Sequence, residues 1–193
     1  MIEKNIDKKT IVILFSGAGS NLDAIVKNLH NQDVLVLAAI TNNPDAKGIK
    51  IAQDHGIAVE IVDSKRHKKR EEFDRILVDK IKSYNPDLVV LAGFMRILTP
   101  IFTEQIRAIN LHPSLLPRHK GLNAIKKSFD DEYSNGGVTV HWVSSCLDGG
   151  EIILQESVEK KGLSFDEYYN KIREVEKAVL INSIKKVFGG LNE

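Results

Sequence analysis

Three polar side chains in the second half of the chain have the types and spacing that acyl-group chemistry needs. Asn110 and His112 stand two residues apart in INLHPSLLP, so their side chains share one face of an extended segment. An amide and an imidazole that converge on one point donate hydrogen bonds to an oxyanion. Asp148, in the turn sequence LDGG, is expected to return to the same cleft and to favour the imidazolium form of His112.

Simpler interpretations of the same residues remain open at this point. A histidine after a strand is more often structural than catalytic, and Asp-Gly-Gly is an ordinary turn sequence. A hydrolase built on Ser114 lacks the G-x-S-x-G turn, and Cys146 has no second feature that supports a nucleophile. His112, His119 and His141 lack the compact spacing of metal ligands, so we expect no metal.

A second candidate site is the glycine-rich turn near the amino terminus. Glycines between a strand and a helix leave backbone N–H groups open, and the helix presents its positive end, so Gly19, Ser20 and Asn21 suit a phosphate. A dinucleotide site meets two objections, since Leu22 replaces the third glycine and no acidic residue follows the second strand. A monophosphate site fits better than NAD, and a turn without a ligand is the alternative.

The segments around both sites alternate between strand-like and helix-like patterns. Apolar, β-branched runs predict strands over 10–15, 34–40, 57–62, 87–92 and 108–111, and the pattern after Gly137 predicts two more over 138–143 and 151–158. Amphipathic spacing predicts helices over 22–30, 46–55, 69–84 and 165–188. Gly56 and the pair Asn85-Pro86 are expected to end the second and third helices.

This alternation indicates an α/β protein with a Rossmann-like, doubly wound and mostly parallel sheet. The last two strands are expected to change direction, which gives a mixed carboxyl-terminal extension followed by a long helix. No repeat or linker interrupts the pattern. Residues 1–193 are therefore expected to form a single domain, with 1–9 as a polar amino-terminal tail.

The composition argues against several classes of protein. A formal net charge of +1 gives no overall attraction to nucleic acid or to an anionic membrane, and no apolar run is long enough to span one. The single cysteine, Cys146, cannot form an internal disulfide, which agrees with a reducing compartment. We therefore expect a cytoplasmic protein with small-molecule partners, either a monomer or a homodimer.

Six segments occur in the order typical of one enzyme family. They are FSGAGSNL, REEFD, NPDLVVLAGFMRILTP, INLHPSLLP, VTVHWV and LDGG, and they run from about residue 11 to 155. Together they resemble the folate-dependent glycinamide ribonucleotide (phosphoribosylglycinamide) formyltransferase family, with LAGFMRIL and NLHPSLLP as highly specific matches. The resemblance implies the formyltransferase fold. It also implies transfer of a formyl group from 10-formyltetrahydrofolate to glycinamide ribonucleotide in purine (IMP) biosynthesis.

The resemblance further implies roles for individual residues. Asn110, His112 and Asp148 match the catalytic residues, and the amide and the imidazolium would hold the oxyanion. The acceptor's phosphate would bind at Gly19, Ser20 and Asn21, and its ribose at Glu176. Folate would bind at Arg70, Met95, Arg96, Ile97, Leu98 and Asn110, and Thr139 and His141 match positions that support the site. The chain departs from the family pattern at Lys120, Asn123, Ser145, Cys146 and Lys177.

The basic run over 65–70 allows more than one interpretation. Such clusters are usually solvated helix starts, and the acidic residues that follow disfavour a nucleic-acid surface. Attraction of the glutamate tail of folate, with Arg70 as the contact, is the functional alternative.

Related reactions are the main rivals to this assignment. A formyltetrahydrofolate deformylase would have an additional amino-terminal domain, and a methionyl-tRNA formyltransferase would have a carboxyl-terminal domain and a basic surface. An amino-sugar nucleotide is an alternative acceptor. A nucleotide-binding regulatory module would be expected to lack one of Asn110, His112 and Asp148, yet all three are present.

Overall fold

The computed structural model describes residues 8–189, which build one seven-stranded sheet. The strands are β1 (Lys9–Phe15), β2 (Val34–Thr41), β3 (Ala58–Ile61), β4 (Leu88–Leu91), β5 (Ala108–His112), β6 (Asn135–Trp142) and β7 (Ile152–Glu159). Their order in the sheet is β3-β2-β1-β4-β5-β6-β7. The first five strands are parallel, and β6 and β7 are antiparallel to their neighbours. The predicted doubly wound α/β fold with a mixed extension is confirmed.

Six α-helices within residues 8–189 accompany the sheet. They are α1 (Ser20–Leu29), α2 (Gly48–Asp54), α3 (Arg70–Tyr84), α4 (Pro100–Thr103), α5 (Ala124–Asp130) and α6 (Phe165–Val187). The four predicted helices correspond to α1, α2, α3 and α6, with ends shifted by at most two residues. The short helices α4 and α5, of four and seven residues, were not predicted.

Two apolar layers cover the sheet because side chains alternate along each buried strand. On β1, Ile11 and Ile13 face the layer that contains α1 and α6, whereas Val12 and Leu14 face the layer that contains α3. All four side chains are fully buried. The continuous apolar run of β1 thus reflects burial on both faces, as is usual for a central parallel strand.

The ends of the longer helices follow from their sequences. Asn85 takes a left-handed conformation, with φ of 47°, and so ends α3 directly before Pro86. At the start of α6, the Ser164 hydroxyl accepts a hydrogen bond from the backbone N–H of Glu167, whose carboxylate accepts one from the backbone N–H of Ser164. This capping box fixes where the long carboxyl-terminal helix begins.

The predicted polar tail over 1–9 lies partly outside the described residues, since residues 1–7 are not described and Lys9 already belongs to β1. None of the helices in residues 8–189 combines the length and apolar composition that a membrane-spanning segment needs.

Candidate active site

The antiparallel pairing of β5 with β6 brings four polar side chains together. In this register Asn110 stands opposite His141, and His112 stands opposite Thr139. Because alternate residues of a strand share one face, all four side chains lie on the same side of the sheet. They also lie at the carboxyl end of β5, where open α/β sheets bind their ligands.

Asp148 reaches this face from the turn between β6 and β7. Its backbone is left-handed, with φ of 46°, and its carboxylate accepts a hydrogen bond of 2.8 Å from the Gly121 N–H. The turn lies so close to β6 that a Cβ at Gly150 would clash with the Trp142 carbonyl oxygen. Because Gly150 has no side chain, the turn can approach β6 closely enough to position Asp148.

The three residues expected to be catalytic meet around one carboxylate. The Asp148 Oδ2 atom lies 3.4 Å from His112 Nδ1, and Oδ1 lies 3.5 Å from Asn110 Nδ2. The side chains of His112 and Asp148 are only 7% and 8% exposed, so the two groups interact in a poorly solvated environment. The amide and the imidazole nitrogen thus converge on the same small volume.

The second ring nitrogen of His112 is engaged elsewhere. Nε2 lies 2.8 Å from the backbone carbonyl oxygen of His119, so it carries the proton and donates it. Nδ1 is therefore the nitrogen that faces Asp148, and it carries a proton only in the imidazolium form. No spacing rule predicts this contact, since the acceptor is a backbone atom in a loop.

Burial of His112 disfavours the expected imidazolium form. Burial lowers the pKa of His112 below its usual value, although the His119 carbonyl and the Asp148 carboxylate act in the opposite direction. Burial raises the pKa of Asp148, but hydrogen bonds to its carboxylate, including the one from the Gly121 N–H, outweigh burial and bring that pKa below its usual value. At neutral pH the site therefore holds a neutral imidazole beside a carboxylate.

Thr139 supports the segment that follows His112. Its hydroxyl donates to the Ser114 carbonyl over 2.6 Å and accepts from the Leu116 N–H over 3.1 Å. The Gln155 amide donates to the same hydroxyl over 2.9 Å and to the Leu116 carbonyl over 2.8 Å. Thr139 is fully buried and lies beneath the cleft, so it holds this loop in place without lining the cleft.

A cleft of about 580 Å³ opens next to the three residues. The residues expected to bind folate line it: Arg70, Met95, Arg96, Ile97, Leu98 and Asn110. Met95 and Ile97 are 71% and 49% exposed. Most other large apolar side chains of the protein are buried, so these two stand out. Arg96 packs over the Phe73 ring, and its buried Nε has no protein acceptor. The wall combines apolar contacts with cationic donors, which suits an anionic aromatic ligand.

The glycine-rich turn forms a separate polar group at the start of α1. Gly19 has φ of 79°, and a Cβ there would lie 2.6 Å from the Gly48 Cα, so the turn requires glycine. The first N–H groups of α1 have no partner within the helix and point outward from its amino-terminal end. The turn therefore provides the open donors expected of an anion site.

Two side chains from α6 complete this group. Asn21 Nδ2 donates to Glu176 Oε2 over 3.2 Å, and the buried Asn21 Oδ1 has no protein partner. Arg173 donates to Ser20 Oγ over 2.8 Å and to Glu176 Oε2 over 2.5 Å. Burial raises the pKa of Glu176 above its usual value, although Arg173 and Asn21 act in the opposite direction. Sequence reasoning missed Arg173, which stands one turn before Glu176 on the same helix face.

The turn and the cleft are neighbouring but distinct. None of the described residues that line the cleft belongs to Gly19–Asn21 or to α6. Ser16 connects the two, because its backbone N–H donates to the Gly93 carbonyl and its hydroxyl accepts from the Met95 N–H, over 3.1 and 2.7 Å. Both Gly93 and Met95 line the cleft.

Three positions that depart from the family pattern have clear surroundings. Asn123 takes φ of 60° and begins α5, and Lys177 pairs with Glu174 over 2.7 Å rather than with the Glu176 carboxylate. Cys146 is a free, exposed thiol at the edge of the cleft. Within residues 8–189, no three His, Cys, Asp or Glu side chains are grouped so that they could hold a metal ion.

Comparison with known proteins places this chain in a family of enzymes. The family model described as formyl transferase matches residues 9–184. The chain therefore belongs to the formyl transferase family, and the predicted family is confirmed.

Within this family the chain is similar to enzymes of purine synthesis. Phosphoribosylglycinamide formyltransferase of Escherichia coli (strain K12) is 42% identical over 152 residues, which cover 77% of this chain and 72% of that protein. A crystal structure of phosphoribosylglycinamide formyltransferase from Campylobacter jejuni subsp. jejuni has a TM-score of 0.90 and 48% identity, and covers 94% of this chain and 98% of that one. The trifunctional purine biosynthetic protein adenosine-3 of Bos taurus is 33% identical over 188 residues, but the chain spans only 19% of it.

Proposed function

We propose that the protein transfers the formyl group of 10-formyltetrahydrofolate to the amine of 5'-phosphoribosylglycinamide, giving the N-formyl product and tetrahydrofolate. The observation that carries the proposal is the convergence of Asn110, His112 and Asp148 beside the cleft. Similarity to phosphoribosylglycinamide formyltransferases over most of the chain supports the same reaction.

The two polar regions fit the two substrates. The exposed apolar side chains and the arginines of the cleft suit the ring and the carboxylates of a folate. The open N–H groups at the start of α1, together with Arg173, suit a phosphate. The Glu176 carboxylate accepts hydrogen bonds well and suits the ribose hydroxyls. Sequence reasoning assigned Gly19, Ser20, Asn21 and Glu176 to these roles, and Arg173 is the addition.

Because its imidazole is neutral, His112 first accepts a proton, whereas the sequence predicted that it donates to the oxyanion from the start. 10-Formyltetrahydrofolate supplies the formyl carbon to which the acceptor's amine adds, after which the bond to the folate nitrogen breaks. His112 takes up the proton of the amine at Nδ1, becomes an imidazolium beside Asp148, and returns the proton to the departing nitrogen. Proton transfer by a positioned side chain contributes roughly 10²–10⁴ in rate.

Asn110 stabilises the negative charge that develops on the formyl oxygen. Its amide nitrogen faces the same volume as His112 Nδ1, so the amide and the newly formed imidazolium donate to that oxygen together. Removing one such donor costs on the order of 10²–10³ in turnover, and we expect that loss for Asn110→Ala.

The proposal is tested by mixing the purified protein with 10-formyltetrahydrofolate and 5'-phosphoribosylglycinamide and following both products. Water alone and initiator methionyl-tRNA in place of the acceptor separate this reaction from the deformylase and tRNA reactions, and an amino-sugar nucleotide tests the remaining alternative. We expect turnover with phosphoribosylglycinamide only. Faster release of formate in water than transfer to this acceptor would overturn the proposal.

We also propose a cytoplasmic protein that functions as a monomer or a homodimer. The free thiol of the single cysteine agrees with a reducing compartment. Size-exclusion chromatography with light scattering measures the assembly directly.

A further inference from the structure

A buried lysine lies behind the loop that follows His112. Lys160 is 9% exposed, and its ammonium donates to the Asp131 carboxylate over 2.5 Å and to the backbone carbonyls of Ser128 and Asp131 over 2.6 and 3.0 Å. A buried ammonium is retained only where it is paired and hydrogen-bonded. Lys160 satisfies that condition by joining the end of β7 to the end of α5.

The Asp131 carboxylate has a second partner, the His119 ring. Asp131 Oδ2 lies 2.6 Å from His119 Nε2, and the side chains are 12% and 23% exposed. Burial raises the pKa of Asp131, but the hydrogen bonds from Lys160 and His119 outweigh it and bring that pKa below its usual value. An ionised carboxylate therefore bridges the lysine and the histidine.

The His119 backbone links this group to the proposed reaction. His119 takes φ of 54°, an uncommon conformation for a residue with a side chain, so something must hold it there. In that conformation its carbonyl accepts the hydrogen bond of His112 Nε2. Asp131 thus anchors the ring of His119, and the backbone carbonyl of the same residue holds His112.

We propose that Lys160, Asp131 and the His119 side chain position His112, because they hold the carbonyl that keeps the His112 proton on Nε2 and directs Nδ1 toward Asp148. These three are positioning residues that act through the loop and do not touch substrate. The consequence for rate rests on the proposed formyl transfer, whereas the consequence for the His112 ring does not.

The test uses variants of the full-length protein that separate anchoring from folding. His119→Asn removes the ring that contacts Asp131 but keeps the Lys160–Asp131 pair, so a change in the loop reports the lost anchor and not an unpaired lysine. Asp131→Asn removes the bridging charge. Asp130→Asn is the matched control, because the neighbouring Asp130 is exposed and pairs only with Lys126 on the surface of α5.

The first measurement is the tautomer of His112, read from imidazole nitrogen chemical shifts well above the usual pKa of histidine. We expect a proton on Nε2 in the native protein and in Asp130→Asn, and a mixture of tautomers in His119→Asn and Asp131→Asn. The second measurement is steady-state kinetics, where His119→Asn and Asp131→Asn should lower kcat roughly 10–100-fold and leave both KM values within about twofold.

The outcomes distinguish the two proposals. Should His119→Asn keep the native tautomer, this inference is wrong, whether or not kcat falls. A changed tautomer with a native kcat would also overturn it. A changed tautomer in a protein that transfers no formyl group would uphold the positioning and reject the proposed function. Because His119→Asn keeps the buried ion pair, it tests the inference even where Asp131→Asn fails to fold.

Discussion

The side-chain amide of Asn110 and the Nε2 atom of His141 lie 3.2 Å apart, on paired positions of β5 and β6. His141 Nδ1 lies 2.9 Å from the Trp142 carbonyl oxygen, so Nδ1 carries the ring proton and Nε2 is the acceptor. The Asn110 amide must then present its nitrogen, not its oxygen, to His141. This contact fixes the amide orientation that the proposed donation to the formyl oxygen requires.

Loss of that acceptor should therefore slow the reaction. We expect His141→Leu to lower kcat roughly 10–100-fold, because the Asn110 amide is then free to flip and present its oxygen. His141→Gln, whose amide oxygen accepts a hydrogen bond, should recover part of the rate. Initial rates of formyl transfer measure both variants, and equal rates for them would contradict this role.

The neutral state of His112 predicts the direction of the pH dependence. Protonated His112 cannot accept the amine's proton, so kcat/KM should fall as the pH drops through a pKa below 6.5, the usual value for histidine. A pH–rate profile of the native protein tests this. Glu176→Gln is the control, because the pKa of the buried Glu176 is raised and its titration would otherwise contribute to the same profile.

The same pKa predicts a contribution to stability. Since the folded protein lowers the pKa of His112, the unfolded chain binds the proton first, and this group destabilises the fold as the pH drops below 6.5. His112→Asn should therefore lose less stability than the native protein between neutral pH and pH of about 5. Urea unfolding at several pH values measures the difference. Parallel losses in the two proteins would show that His112 is not buried as described.

Arg173 should affect one substrate only. We expect Arg173→Ala to raise the KM for phosphoribosylglycinamide roughly 10–100-fold, the loss expected for a charged hydrogen bond, with an unchanged KM for the folate. Lys171→Ala, which removes an exposed charge two residues away on α6, serves as the control. Equal effects of the two variants would point to general electrostatic attraction instead of a specific contact.

Because Gly150 lies close to the Trp142 carbonyl, replacing it should lower both the stability of the protein and the rate of formyl transfer. In Gly150→Ala the new Cβ clashes with the Trp142 carbonyl, and the resulting strain should lower the free energy of unfolding by about 1–3 kcal/mol. Gly17→Ala, where nothing lies within 4 Å of the added atom, should stay within about 0.5 kcal/mol of the native value. Urea unfolding of the two variants provides the comparison.

Much of the fold could be predicted because β1, β2, β4 and β5 are largely buried runs whose apolar patterns are strong. The meeting of Asn110 with His112 also followed from their spacing along one strand, and both the turn sequence LDGG and the resemblance indicated Asp148. Arg173 could have been found, since it stands one helical turn before Glu176. The roles of the His119 carbonyl and Lys160 could not, because a backbone acceptor and a pairing across 29 residues leave no local pattern.

The order of the strands determines the reach that an acceptor needs. In the sheet, β4 separates β1, which leads into the glycine-rich turn proposed to bind the phosphate, from β5, which carries Asn110. Two strand spacings amount to roughly 10 Å. An amine that a ribose joins to a phosphate can reach the turn and Asn110 at the same time. Ammonia or a free amino acid amide can reach only one of these two places. In the proposed reaction, the distance between the two strands therefore favours acceptors that are long enough to reach both sites.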